Sequence, residues 1–189
     1  MTNSAVGRVS IRSAPSSARI CRNAPVLISG VASEKPDAHY ICTQLGSPRV
    51  LDLTGETTLT ELLHIFNLAH VLVTNDSGPA HFAALTRIHV VVFFGPEIPG
   101  RYRPLTASSD PIHTGYSCSP CIGPHNQRQS PCNDNLCLKS ISIDEITRLV
   151  RSRLEAMRSS RQLPLMVGAA SEAVAGAEGN VVQQASWLN

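Results

Sequence analysis

The sequence predicts an α/β fold with a doubly wound parallel sheet. Short strands read as continuous apolar runs, segments of helical period separate them, and glycine or Asx-rich turns stand at the strand ends. Val26-Leu27-Ile28 is the first run, closed by Ser29-Gly30, and a polar segment of helical character follows from Ser33 to Leu45. Val50-Leu51-Asp52-Leu53 is the second strand. Leu59, Leu62, Leu63 and Phe66 then fall at i, i+3, i+4 and i+7, one apolar helix face, and Thr58 with Glu61 has the spacing of a capping box. Val71-Leu72-Val73 leads into Thr74-Asn75-Asp76-Ser77-Gly78-Pro79, a helix is expected over His81 to Leu85, and Val90 to Phe94 is a further strand ending at Gly95. A short strand is expected near Ile112. Ser142 and Glu145 form a second capping box before a helix carrying Ile146, Leu149, Val150, Leu154 and Met157 to about Arg158.

Composition bounds the rest. The chain has 189 residues, enough for one core, with 42% apolar, 16% charged and 4% aromatic residues, which excludes wholesale disorder. A net charge of +2 is too small to imply a nucleic-acid partner by field alone. No apolar run reaches the roughly 18–20 residues of a membrane-spanning helix, and the first residues lack the apolar region of a secretory signal, so an intracellular location is expected.

Residues 1–24 hold four arginines, five serines and no acid, with no sustained period, and are expected to be a disordered lead-in. That composition also suits a transit peptide, but no amphipathic face is evident. The domain is expected over 25–158, with a proline-rich, cysteine-bearing loop at 95–141, and 159–189 as a disordered tail.

Ligands of open parallel sheets bind beyond the carboxyl ends of the strands, where Asp76-Ser77-Gly78-Pro79 falls. Gly78 permits close approach to the backbone. Pro79 suits a first helical turn, and the free amides of that turn with the Ser77 hydroxyl could take a phosphate. His81 lies about one turn further on, and Asp76 would cap the helix or orient a donor. Equally, Asp76 and Ser77 could be only a cap and His81 a packing residue. There is no Gly-x-x-x-x-Gly-Lys-Ser/Thr loop and no Gly-x-Gly-x-x-Gly fingerprint, which disfavours a P-loop NTPase or an ordinary dehydrogenase.

Cys118-x2-Cys121, then Cys132 and Cys137, could offer four thiolates to zinc or an iron–sulfur cluster, or form two disulfides, or stay reduced in a small satellite core. His113 and His125 are alternate ligands. Cys42 reads as a core residue and Cys21 as an exposed terminal thiol. Arg101 and Arg103, with Tyr102 between them, could meet phosphate or sugar hydroxyls or form a solvated loop.

The stretch from Asp76 to Ala84, with Phe93-Phe94-Gly95-Pro96, resembles the signature of glycosyltransferase family 9, the lipopolysaccharide heptosyltransferases. Upstream, Leu27-Ile28-Ser29-Gly30 with Glu34, and Leu53-Thr54-Gly55-Glu56-Thr57-Thr58-Leu59, resemble two further motifs of that family in the same order.

The resemblance covers about residues 25–157 and implies an incomplete, Rossmann-like carboxyl-terminal donor half of a two-domain GT-B enzyme. It implies an ADP-heptose-like nucleotide-diphosphate sugar as ligand and a lipopolysaccharide core acceptor. Asp76, Ser77, Gly78, Pro79 and His81 would lie at the diphosphate and sugar, Glu34 at the ribose and Thr57 at the adenine side. The family's amino-terminal acceptor domain, with its catalytic carboxylate, has no counterpart here, nor do the first elements of the donor half. No catalytic residue is therefore expected in this chain, no cofactor is required, and a missing amino-terminal domain is an expected partner. The location implied is cytoplasmic, either free or peripheral to the inner membrane face. A non-catalytic cysteine-loop module binding metal or protein is the rival expectation.

Overall fold

In the computed structural model, residues 24–123, 130 and 132–162 are described. Strand β1 (Val26–Ile28) leads through a 3-10 turn (Ala32–Glu34) into α1 (Lys35–Leu45), followed by β2 (Val50–Asp52), α2 (Leu59–Leu68), β3 (Val71–Asn75) and α3 (Gly78–Phe82), which runs on as a 3-10 turn (Ala83–Leu85). Then come β4 (His89–Phe94), α4 (Pro99–Tyr102), β5 (Ser109–His113), α5 (Leu136–Lys139) and α6 (Ile143–Gln162).

Local chemistry sets these boundaries. Helix α1 stops where Gly46 takes a left-handed conformation (φ 52°) and its N–H bonds Cys42 O at 3.0 Å. Helix α2 opens with the expected box: Thr58 Oγ1 accepts from Glu61 N at 3.3 Å and Glu61 Oε2 accepts from Thr58 N at 2.8 Å. At α6, Glu145 N donates to Ser142 Oγ at 3.4 Å, and Asp144 and Glu145 place negative charge in the first turn, where the helix dipole favours it.

All paired strands are parallel, as the apolar runs require, but their hydrogen bonding falls into two ladders, β1-β2 and β3-β4-β5. The main core lies on the second. Phe66, Ala80, Ala83, Ile88, Val90, Val92 and Phe94 form one buried cluster, and Leu62, Leu63, Ala69, Leu72 and Tyr102 pack against it. At 25–30 cal/mol per Å² of apolar area, each large side chain in such a cluster contributes about 1.5–3 kcal/mol. Leu59, at the start of the same helical stripe, stands exposed.

A second tie joins β4, β5 and α6. Arg153 grips Asp110 with two hydrogen bonds, Nε to Oδ2 and Nη2 to Oδ1, both 2.7 Å, and His89 Nε2 lies 2.7 Å from Oδ2. The Arg153 hydrogen bonds hold the Asp110 carboxyl below the usual carboxylate range, against the opposing effect of burial and with help from His89.

Three expectations need correction. Helix α6 runs to Gln162 instead of ending near Arg158, because no helix breaker precedes Pro164. The expected lead-in and tail therefore lie outside the described residues only from 1 to 23 and from 163 onward; Ala24 is packed and 159–162 are helical. Cys42 is half-buried on α1, not in the core, and burial followed by nearby Asp52 pushes its thiol up. Cys21 and His125 lie outside the described residues.

Candidate functional site

The loops of interest all leave the carboxyl ends of parallel strands. After β1, the chain turns at Gly30, and the Glu34 carboxylate folds back to accept from Val31 N at 2.9 Å. A Cβ on Gly30 would sit 2.5 Å from Glu34 Oε2, so a side chain there would displace that carboxylate from its present position. After β2, Thr54 is buried and donates its N–H to Asp52 Oδ1 at 2.9 Å. Gly55 then adopts φ 75°, and its N–H reaches Gly30 O at 2.9 Å. A side chain there would meet Ala32 Cα at 2.9 Å. Lys35 pairs with Glu56 across the two loops. Thus Glu34 and Thr57 are carried by loops that pack on each other. Glu34 spends its carboxylate on a backbone amide, and Thr57 is half-buried beside the α2 cap.

At the end of β3, Asp76 N donates to Phe93 O at 3.1 Å, which extends the ladder by one residue and fixes the turn beside β4. Ser77 occupies the N-cap position of α3 in extended conformation (φ −156°), with no side-chain cap. Its hydroxyl donates instead to Asn75 O at 3.2 Å. Pro79 stands in the first turn, as expected, and Ala80 N bonds Ser77 O at 3.1 Å. His81 turns back over the helix start, placing Nε2 3.9 Å from Asp76 Oδ1. Asp76 thus faces the imidazole, and Ser77 holds the N-cap position. Ser77, Gly78 and His81 are exposed, so the turn is open to solvent.

Helix α3 is only five residues long, which weakens the dipole contribution expected from the sequence. What remains at the turn is a hydroxyl, an imidazole and backbone amides beside a glycine. The ring of Phe82 lies 3.3 Å from where a Gly78 Cβ would be, so a larger residue would crowd it.

The cysteine loop wraps the ends of β4 and β5 through hydrogen bonds. Ser119 Oγ donates to Gly95 O at 2.9 Å, Cys121 N to Pro96 O at 2.9 Å, and Thr114 Oγ1 to Cys137 O at 2.9 Å. His113 Nε2 lies 3.1 Å from Ser119 Oγ. A Cβ on Gly95 would meet Leu138 Cγ at 2.8 Å and Cys137 Sγ at 3.2 Å, which explains the glycine after Phe94. Cys118 and Cys132 are exposed, Cys121 half-buried and Cys137 buried, and none of these four forms a disulfide. Among the described residues, no three His, Cys, Asp or Glu side chains stand together so as to hold a metal ion. The amides of Asp134 and Asn135 pull the Cys132 thiol down, whereas burial pushes Cys137 up.

Arg101 and Arg103 are exposed and Tyr102 packs on the core, so the structure shows these two arginines as surface groups and the tyrosine as a packing residue. A groove of about 640 Å³ opens between the end of β5 and the start of α6, lined by Ile112, Tyr116, Ser142 and Glu145 among others. None of Asp76 to His81 lines it. Sequence reasoning missed the Lys35–Glu56 pair and the Asp110–Arg153 clamp. Only a charged residue placed inside a strand run, Asp110, could have signalled the second.

Parallel strands alternating with helices, with their loops gathered at the carboxyl ends, define a Rossmann-like α/β domain. Residues 22–130 match glycosyltransferase family 9 (heptosyltransferase), and the chain belongs to that family. It is 25% identical over 108 residues to lipooligosaccharide heptosyltransferase 2 of Campylobacter jejuni serotype O:2, covering 57% of this chain and 33% of that protein. The serotype O:6 counterpart is 28% identical over 106 residues, covering 53% and 32%.

Among solved structures, Escherichia coli ADP-heptose lps heptosyltransferase II is similar with TM-score 0.61 and 20% identity, covering 76% of this chain and 40% of that one. The glycosyl transferase family 9 from Veillonella parvula DSM 2008 gives TM-score 0.59 and 22% identity, with the same coverage. The chain thus spans about a third of the length of the curated relatives, and its fold is that of part of a GT-B heptosyltransferase. No helix among the described residues is long and apolar enough to cross a membrane.

Proposed function

We propose that this chain is the donor-binding part of a heptosyltransferase, and that the turn Asp76-Ser77-Gly78-Pro79 receives the diphosphate of a nucleotide-diphosphate sugar such as ADP-heptose, for transfer to a lipopolysaccharide core. The observation that carries the reading is the family match across residues 22–130, within which this turn stands solvent-open at the carboxyl end of β3. Transfer releases a diphosphate whose growing charge needs donors already in place. Ser77 would supply its hydroxyl by leaving Asn75 O, Gly78 would let phosphate oxygens approach the backbone, and His81 would meet the outer oxygens from one turn away. Glu34 would reach a ribose only by releasing Val31 N, and Thr57 would border the base.

Inversion also needs a base to take the acceptor proton, and nothing in these loops is placed in that role. The chain alone is therefore read as inactive, with the acceptor wall and base supplied by further polypeptide at the cytoplasmic membrane face. Calorimetric titration with ADP tests the reading. Saturable binding is expected, abolished in Ser77→Asp and Gly78→Val and retained in Cys118→Ser; absence of binding, or unchanged binding in both turn variants, refutes it.

A further inference from the structure

We infer that the edge at which β3, β4 and β5 begin is a contact surface for an anionic lipid bilayer, with three leucines entering the lipid and arginines meeting the headgroups. The inference is independent of the donor reading, whose loops lie at the opposite edge. Because the strands are parallel, every connection enters its strand on the same side of the sheet. Leu68 closes α2 just before β3, Leu85 ends the 3-10 turn before β4, and Leu105 precedes β5. They keep 78%, 75% and 95% of their surface in solvent. Leu105 is held near the start of β5, because Ser109 Oγ donates to the next residue's carbonyl, Thr106 O, at 3.2 Å. Strand β4 is bonded to β3 on one side and β5 on the other, and neighbouring strands lie about 4.8 Å apart, so the three leucines share one edge.

Charge divides the same way. Arg49, Arg87 and Arg103 stand exposed on the connections entering β2, β4 and β5. Arg158 is exposed near the end of α6, a helix that runs back toward this edge, since its Arg153 meets Asp110 at the start of β5. Among the described residues, the acids toward this edge are Asp110, already gripped by Arg153, and Glu155. Glu34, Asp52, Glu56, Asp76 and Glu97 end or follow strands at the other edge. Helix dipoles favour cations at helix ends, but they do not call for exposed leucines beside them.

Exposed leucines among arginines suit an interfacial lipid contact, in which the leucines bury at the acyl boundary and the guanidinium groups meet anionic headgroups. A nucleic acid would use the arginines and leave the leucines in water. The flanking sequence keeps the same balance: residues 1–23 carry four arginines and no acid, and residues 163–171 carry neither Asp nor Glu. With this edge on the lipid, the Asp76 turn stands a strand's length away from it, about 17 Å for the five residues of β3.

Co-sedimentation of the full 189-residue chain with lipid vesicles tests this. Binding is expected to vesicles of equal parts phosphatidylglycerol and phosphatidylcholine, and should fall about tenfold or more on phosphatidylcholine alone or in about 0.5 M salt. Combining Leu68→Ser, Leu85→Ser and Leu105→Ser, or Arg87→Glu with Arg103→Glu, should weaken it about tenfold while circular dichroism and whatever affinity for ADP the parent chain shows stay unchanged. Should the triple variant fail to fold, Leu105→Ser alone, at a side chain almost wholly in solvent, should weaken binding about twofold or more. No binding to the anionic vesicles, equal binding to neutral ones, full binding in the folded leucine variants, binding that is lost only on deleting residues 1–23 or 163–189, or tighter binding to duplex DNA than to the vesicles would each overturn the inference.

Discussion

The β3–β5 ladder and the β1–β2 pair draw on the same vocabulary of Val, Leu and Ile, and they are held by different forces. On β4, Val90, Val91, Val92 and Phe94 are wholly enclosed, and α2 and α3 close one side of the core. On β1 and β2 the register partners Leu27 and Leu51 stay about half exposed. That pair is tied at its ends by Gly55 N to Gly30 O, by Glu34 on Val31 and by the Lys35–Glu56 bridge. Burial anchors one region and loop hydrogen bonds align the other, so stability and the binding loops after β1 and β2 should respond to different substitutions.

The largest effect should come from the enclosed side. Phe94→Ala is expected to cost about 3–5 kcal/mol in urea unfolding, and Leu51→Ala under about 1 kcal/mol. Equal losses would erase the distinction between the two regions.

A smaller effect comes from Asp110. Its folded carboxyl titrates below the ordinary value, so its contribution is fully present above about pH 4 and fades as pH falls through the depressed value. Asp110→Asn should cost about 2 kcal/mol at pH 7 and flatten the acid limb of the stability curve. An unchanged acid limb would show that the clamp with Arg153 and His89 carries no linkage. The smallest effect is chemical: iodoacetamide at neutral pH should modify Cys132 ahead of Cys137, and the reverse order would contradict the amide contacts assigned to Cys132.

Much of this was legible in the sequence because it is local. Apolar runs gave the strands, and Thr58 with Glu61 gave a helix start that the structure reproduces atom for atom. The turn at Asp76 was placed at a strand end by the same logic. The division of the sheet was not legible, since runs of Val and Leu say that a strand exists and nothing about which edge it pairs. Nor was the clamp, because Arg153 lies 43 residues from Asp110 and only the fold brings them together. The bond from Val31 N to Glu34 is not legible in the sequence either, although a carboxylate three residues after a free amide is well placed to accept from it. The dipole at α3 was overestimated because the helix proves to be five residues long.

The most direct measurement is a backbone NMR titration of the labelled chain with ADP. The account predicts saturable shifts concentrated at Ser77, Gly78 and His81, with smaller ones near Glu34 and Thr57 and none along the cysteine loop. Shifts confined to the groove between β5 and α6, or none at the Asp76 turn at saturating ADP, would contradict it.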